Sequence, residues 1–168
     1  MSATPMTPEQ IVAPIAQPRA VADLDTGFIL AAVEVRGDPE RVFRALSSPE
    51  VTKWWARPGV FDTRTWTGDL SVGGQWQATG LGPGGPYALN GEFVEVEAPR
   101  RLVQTWNDPQ WPGFTSTLSY DLTPARGGTR ITLRHQGRFA LSLICANTCL
   151  GWESSFECLA ELLATETP

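Results

Sequence analysis

The chain contains a single histidine, His135, so any imidazole acid–base chemistry must pass through it. It lies in Thr129-Arg-Ile-Thr-Leu-Arg-His-Gln136. Ile131, Leu133 and His135 alternate there with Thr132, Arg134 and Gln136, which predicts a strand with the imidazole on its inner face. An inward ring can act as acid or base, contact a ligand, or be a buried histidine satisfied by a neighbour. Glu92 is the carboxylate that could join it. Over Leu89 to Glu97, Glu95 and Glu97 are expected to face water and Val94 and Val96 the interior. Glu92 shares the face of Val94 and Val96, which puts a carboxylate inside unless a bulge near Gly91 reverses the register. Burial alone lowers the imidazole pKa, whereas a nearby ionised Glu92 raises it.

Cys145 and Cys149 stand four residues apart on one helical face. With His135 they suggest a soft metal site or a thiol nucleophile, but a tetrahedral ligand set is incomplete. Small buried hydrophobes are the simpler reading, and no metal or other cofactor is expected. Gly80 to Pro86 lacks the Gly-Lys-Ser/Thr ending of a phosphate loop and has no helix after it. No Ser-His-Asp arrangement emerges. The seven tryptophans divide by position. Trp76 and Trp152 are expected in a cavity wall, Trp54 and Trp55 as plugs between helices and sheet, and Trp111 at a cavity rim. The expected ligand-facing set is Trp76, Glu92, Val94, Tyr120, Leu133, His135, Cys149, Trp152 and Phe156.

These residues must be positioned by a long C-terminal helix and a sheet. In Cys145 to Leu163, the residues Cys145, Cys149, Trp152, Phe156, Leu159 and Leu163 form one apolar stripe. Glu153, Glu157 and Glu161 mark a different, solvated face. An aromatic stripe of that length needs a broad apolar partner. Strand signals supply it: Phe28 to Arg36, then six or so further strands from Phe61 to Gln136, separated by Gly and Pro turns. Asp38-Pro39 and Ser48-Pro49 open two short helices after the first strand. Gly80 to Pro86 reads as a loop. Residues 1–26, with Pro5, Pro8, Pro14 and Pro18, read as an arm, and residues 27–166 as one domain. Consecutive hairpins with segregated helices predict an α+β fold of six or seven antiparallel strands around the C-terminal helix.

Composition bounds the partners. At 42% hydrophobic and 18% charged residues the chain is globular. A net charge of −5 with no Lys/Arg run argues against nucleic acid. No apolar run reaches the roughly 20 residues of a membrane span, and no signal-peptide pattern opens the chain. Three cysteines, all in the last helical stretch, fit reduced thiols in a cytoplasmic protein.

Several motifs, in order, resemble the SRPBCC superfamily, the START-like or helix-grip proteins. The chain is most similar to the bacterial homologues of the heat-shock-protein-90 ATPase activator. The matching stretches are Pro39-Glu-Arg-Val-Phe-Arg-Ala-Leu46, Ser48-Pro-Glu50, Trp54-Trp55 with Pro58-Gly59, and Gly73-Gly74-Gln-Trp76. They continue through Gly91-Glu-Phe-Val-Glu-Val96, Pro99-Arg-Arg-Leu102, Thr105-Trp106, Thr132-Leu-Arg-His135 and Gly151-Trp152. The extra arm, the Gly/Pro-rich stretch at 80–86 and the helix cysteines depart from the pattern. The resemblance implies a cavity between sheet and helix that takes a small apolar or amphipathic molecule. The alternatives are a cofactor-free cyclase or hydrolase using His135 with Glu92, and a module that engages a chaperone. The arm is compatible with lying on the domain, with lying on the partner subunit of a homodimer, or with a floppy leader, the last being the simpler reading.

Overall fold

The computed structural model describes residues 17–23, 25–109, 115–137 and 142–166. The first strand pair is β1 (Arg19–Asp23) with β2 (Phe28–Arg36), followed by helices α1 (Pro39–Leu46) and α2 (Val51–Trp54). Asp38 caps α1 by accepting the Arg41 amide at 2.8 Å, with Pro39 opening the helix, as its sequence predicts. Val42, Phe43, Ala45 and Leu46 form the buried face of α1. The Trp54 indole N–H donates to the Ala45 carbonyl at 2.8 Å, which locks α2 onto α1.

Seven strands follow α2: β3 (Ala56–Arg57), β4 (Phe61–Gly68), β5 (Gln75–Gly82), β6 (Gly85–Glu97), β7 (Arg101–Asn107), β8 (Thr115–Ala125) and β9 (Gly128–Gln136). Helix α3 (Ser142–Ala164) closes the chain. Among the described residues all nine strands form one sheet in the order β1-β2-β9-β8-β7-β6-β5-β4-β3. Every neighbouring pair is antiparallel. The fold is therefore the expected α+β helix grip, but with nine strands rather than six or seven. The additional strands are short and lie at the two edges. β1 comes from the segment read as an arm, and β3 is two residues long, so neither carries a period long enough to be seen in sequence.

The stretch read as a loop at 80–86 is also structured. β5 and β6 continue through it and turn at Pro83-Gly84, with Gly82 paired to Gly85. Gly80 serves close approach here: a Cβ would lie 2.0 Å from the Asp62 carbonyl and 2.5 Å from the Tyr87 hydroxyl.

Helix α3 touches β1 and β2 at one end of the sheet and β3 at the other, so the sheet curls around it. Trp152, Phe156, Leu159 and Leu163 are buried along the predicted stripe. Both sheet ends are tied to the helix by polar contacts. The Ala20 amide donates to Glu153 Oε1 at 2.9 Å, and Ser155 Oγ donates to the Ala56 carbonyl at 3.2 Å. Glu153 is thus half-buried, unlike the solvated Glu157 and Glu161. Beyond the helix end, Glu166 and Glu50 converge on Arg41, joining α1, α2 and the C-terminal segment.

Candidate functional site

Between the N-terminal half of α3 and the β3–β7 side of the sheet lies a cleft of about 500 Å³. That volume falls within the usual range for small-molecule sites, about 300–1,000 Å³. Trp152 and Gly151 contribute the helix side. Trp55 and Trp106 supply aromatic wall, and Phe61, Tyr87 and Leu89 come from the sheet. The β5–β6 turn forms a rim, and Arg57 and Asp108 are the charged residues lining the cleft.

The wall is built from rings that fix one another. Trp55 and Trp152 are nearly parallel, at 6.4 Å and 9°, and Trp106 meets Trp55 edge-on at 5.3 Å and 79°. Trp76 packs behind Trp55 at 6.3 Å, with its indole N–H donating to the Thr105 carbonyl at 3.0 Å. That indole needs the glycine beside it, because a Cβ on Gly91 would sit 2.6 Å from Trp76 Nε1 and 1.8 Å from the Thr105 carbonyl oxygen. The Thr63 hydroxyl donates to the Trp55 carbonyl at 2.8 Å and lies 2.7 Å from the Tyr87 hydroxyl, so backbone and rim are joined.

His135 is buried directly behind this wall. Trp106 stacks on it at 4.9 Å and 18°, and the Trp152 indole N–H reaches its Nδ1 at 3.1 Å. An indole N–H only donates, so Nδ1 must accept. The proton therefore sits on Nε2, which donates to Ser116 Oγ at 2.9 Å. Burial pushes the His135 pKa down to about 3, so the ring is neutral at pH 7.

The expected ligand-facing residues separate into four places. Trp152 lines the cleft. Trp76, Tyr120, Leu133, His135 and Phe156 are buried in the layer behind or in the core. Burial raises the Tyr120 phenol well above its ordinary value. Cys149 is half-buried on α3 and is not among the lining residues. Glu92 and Val94 are exposed, contrary to expectation. The register slips between Phe93 and Glu95, so the inward phase at Val96 does not extend back across the bulge. Tyr87, Leu89, Gly91 and Phe93 take the inner face instead. His135 and Glu92 consequently do not share a pocket. Trp111 lies outside the described residues, as does the side chain of Cys145. No group of three or more potential metal ligands occurs among the described residues.

Sequence reasoning missed Trp55, Arg57, Phe61, Tyr87, Leu89 and Trp106 as wall residues. Tyr87 and Leu89 were accessible through their alternation with Phe93. Trp55 and Arg57 become wall residues only because β3 pairs at the sheet edge.

The family model described as Activator of Hsp90 ATPase homolog 1-like protein matches residues 36–164. A solved protein from Nitrosomonas europaea is 25% identical, with a TM-score of 0.71, covering 88% of this chain and 99% of its own. One from Chromobacterium violaceum is 24% identical, with a TM-score of 0.70, covering 83% of this chain and 99% of its own. DynU16, a protein of the dynemicin biosynthetic locus, is 20% identical with a TM-score of 0.68, covering 84% of this chain and 49% of its own. No curated protein matches the chain. No helix among the described residues is long and apolar enough to cross a membrane.

Proposed function

The chain belongs to the Activator of Hsp90 ATPase homolog 1-like family, and from that premise we propose that it binds a small hydrophobic or amphipathic molecule in the cleft between α3 and the sheet. The observation that carries this reading is the aromatic wall of Trp55, Trp106 and Trp152 around a space of about 500 Å³. Rings held by one another have little side-chain entropy left to lose on binding, which favours ligand over self-collapse. The buried polar group nearest the wall, His135, is already satisfied by Trp152 and Ser116. It stiffens the wall. A structural neighbour, DynU16, comes from a biosynthetic locus, which is compatible with a ligand that is a metabolite.

Native mass spectrometry of the freshly purified protein tests the reading, together with a fluorescence titration using N-phenyl-1-naphthylamine as a neutral apolar probe. A saturable one-to-one complex is expected. It should be abolished in Gly151→Leu, whose side chain would grow from the helix into the cleft beside Phe61. Absence of both a co-purified molecule and saturable probe binding would refute the proposal.

A further inference from the structure

Arg57 is out of keeping with the wall in which it stands. Arg41, Arg44, Arg64, Arg100, Arg101 and Arg130 each reach a carboxylate. Of the described arginines outside these ion pairs, Arg19, Arg36, Arg126 and Arg134 are exposed to water. Arg57 alone is half-buried, lines the cleft and makes no ion pair among the described residues. An arginine at this position offers the cleft a permanent cation with a planar fork of N–H donors.

The backbone that carries it is rigid. The carbonyl before it, on Ala56, accepts from Ser155 on α3, and the Trp55 carbonyl accepts from Thr63. Arg57 itself is in register with Phe61 across the β3–β4 pair. The residue's backbone is thus held in the sheet beside an aromatic surface rather than carried on a free loop. Asp108, the other charged residue lining the cleft, already has an interaction partner. It would also disfavour a second negative group on any ligand.

We propose that Arg57 is an anchor for a carboxylate, so that the cleft takes an apolar monocarboxylic acid with its rings or chain against Trp55, Trp106 and Trp152. The fork of guanidinium N–H groups matches a carboxylate in a bidentate manner. With a net charge of −5 the molecule as a whole repels anions, so the preference must come from this position and not from general steering. The inference rests on the cleft being the ligand site, and its test separates the two.

Isothermal titration with 2-naphthoate and with neutral 2-naphthalenemethanol makes the comparison in wild type, Arg57→Gln and Arg57→Lys. Wild type should bind the acid at least about tenfold more tightly than the alcohol, with the margin shrinking as salt is added. Arg57→Gln should lose that margin, read as the acid-to-alcohol affinity ratio within the same variant, and Arg57→Lys should keep part of it. The alcohol is the internal control for folding of each variant. If wild type binds the alcohol but prefers the acid by less than twofold, or if Arg57→Gln keeps the full margin, the carboxylate anchor is overturned and the cleft reading survives. If neither probe binds to wild type, both fail.

Discussion

At the residue scale the decisive group is His135, because two opposite behaviours were open to it. A buried imidazole beside an ionised carboxylate titrates high, and one in aromatic surroundings titrates low. The second holds, since Glu92 is on the outer face and burial sets the pKa at about 3. The histidine is neutral in the native state, while the unfolded chain protonates it near pH 6.5. Between those values the unfolded state binds more protons, so this residue lowers stability as pH falls from about 6.5 toward 3. Its contribution to the slope is up to ~1.4 kcal/mol per pH unit. Above pH 6.5 it contributes no slope. Denaturant unfolding from pH 7 to pH 4 should show this loss in wild type and a reduced loss in His135→Gln. An NMR titration should find the ring unprotonated at pH 5, unchanged in Glu92→Gln. A shift in that variant would place the carboxylate within reach after all. The indole that faces His135 has its own test. Trp152→Ala should cost ~3–5 kcal/mol in chemical denaturation, as expected for a buried tryptophan. Trp152→Phe keeps much of the area but removes the indole N–H that donates to Nδ1, at a cost of ~1–3 kcal/mol. A loss below 1 kcal/mol for Trp152→Ala would mean that the helix face is not packed as described.

At the element scale, α3 shows which signals survive in a sequence and which do not. Its stripe was legible because Trp152, Phe156, Leu159 and Leu163 keep one period over many residues, and all four are buried. The inner face of β9 was legible for the same reason. β6 was not, because a single slip between Phe93 and Glu95 inverts the alternation on one side of it, and only tertiary pairing with β7 reveals the slip. The cleft was half-legible: Trp152 follows from the helix stripe, but Trp55 and Arg57 depend on the edge pairing of a two-residue strand. Gly151 also belongs at this scale. It is a helix-interior glycine whose added Cβ would meet Phe61 Cε1 at 3.5 Å, an ordinary contact. Gly151→Ala should therefore raise stability by about 1 kcal/mol, as glycine is the poorer helix former by that amount. Thermal denaturation measures it. A loss of stability would show that the helix needs the gap at this point, in which case the glycine serves more than access to the cleft.

At the scale of the whole molecule, the sheet meets α3 at two ends that do different work. The β3 end is tied through Ser155 to Ala56 and carries the cleft wall. The β1 end is tied through Glu153 to the Ala20 amide and contributes none of the lining residues. β1 is five residues long, mostly exposed, and in contact with both β2 and the helix. Its removal should therefore separate stability from binding. A chain starting at Thr26 would lose the β1 pairing, leave the Glu153 carboxylate without the Ala20 amide, and expose the N–H and C=O groups of β2. Each kcal/mol lost should lower Tm by roughly 2–4 °C in a chain of this size. The bared β2 edge should promote self-association, visible in size-exclusion chromatography with light scattering as a concentration-dependent larger species. Binding of N-phenyl-1-naphthylamine to the folded monomer should stay within about twofold of the full chain, since every wall residue remains and the β3 end is untouched. If the truncated protein stays folded and monomeric but no longer holds the probe, the segment before Phe28 is part of the ligand site, and the division of labour between the two ends of the sheet is wrong.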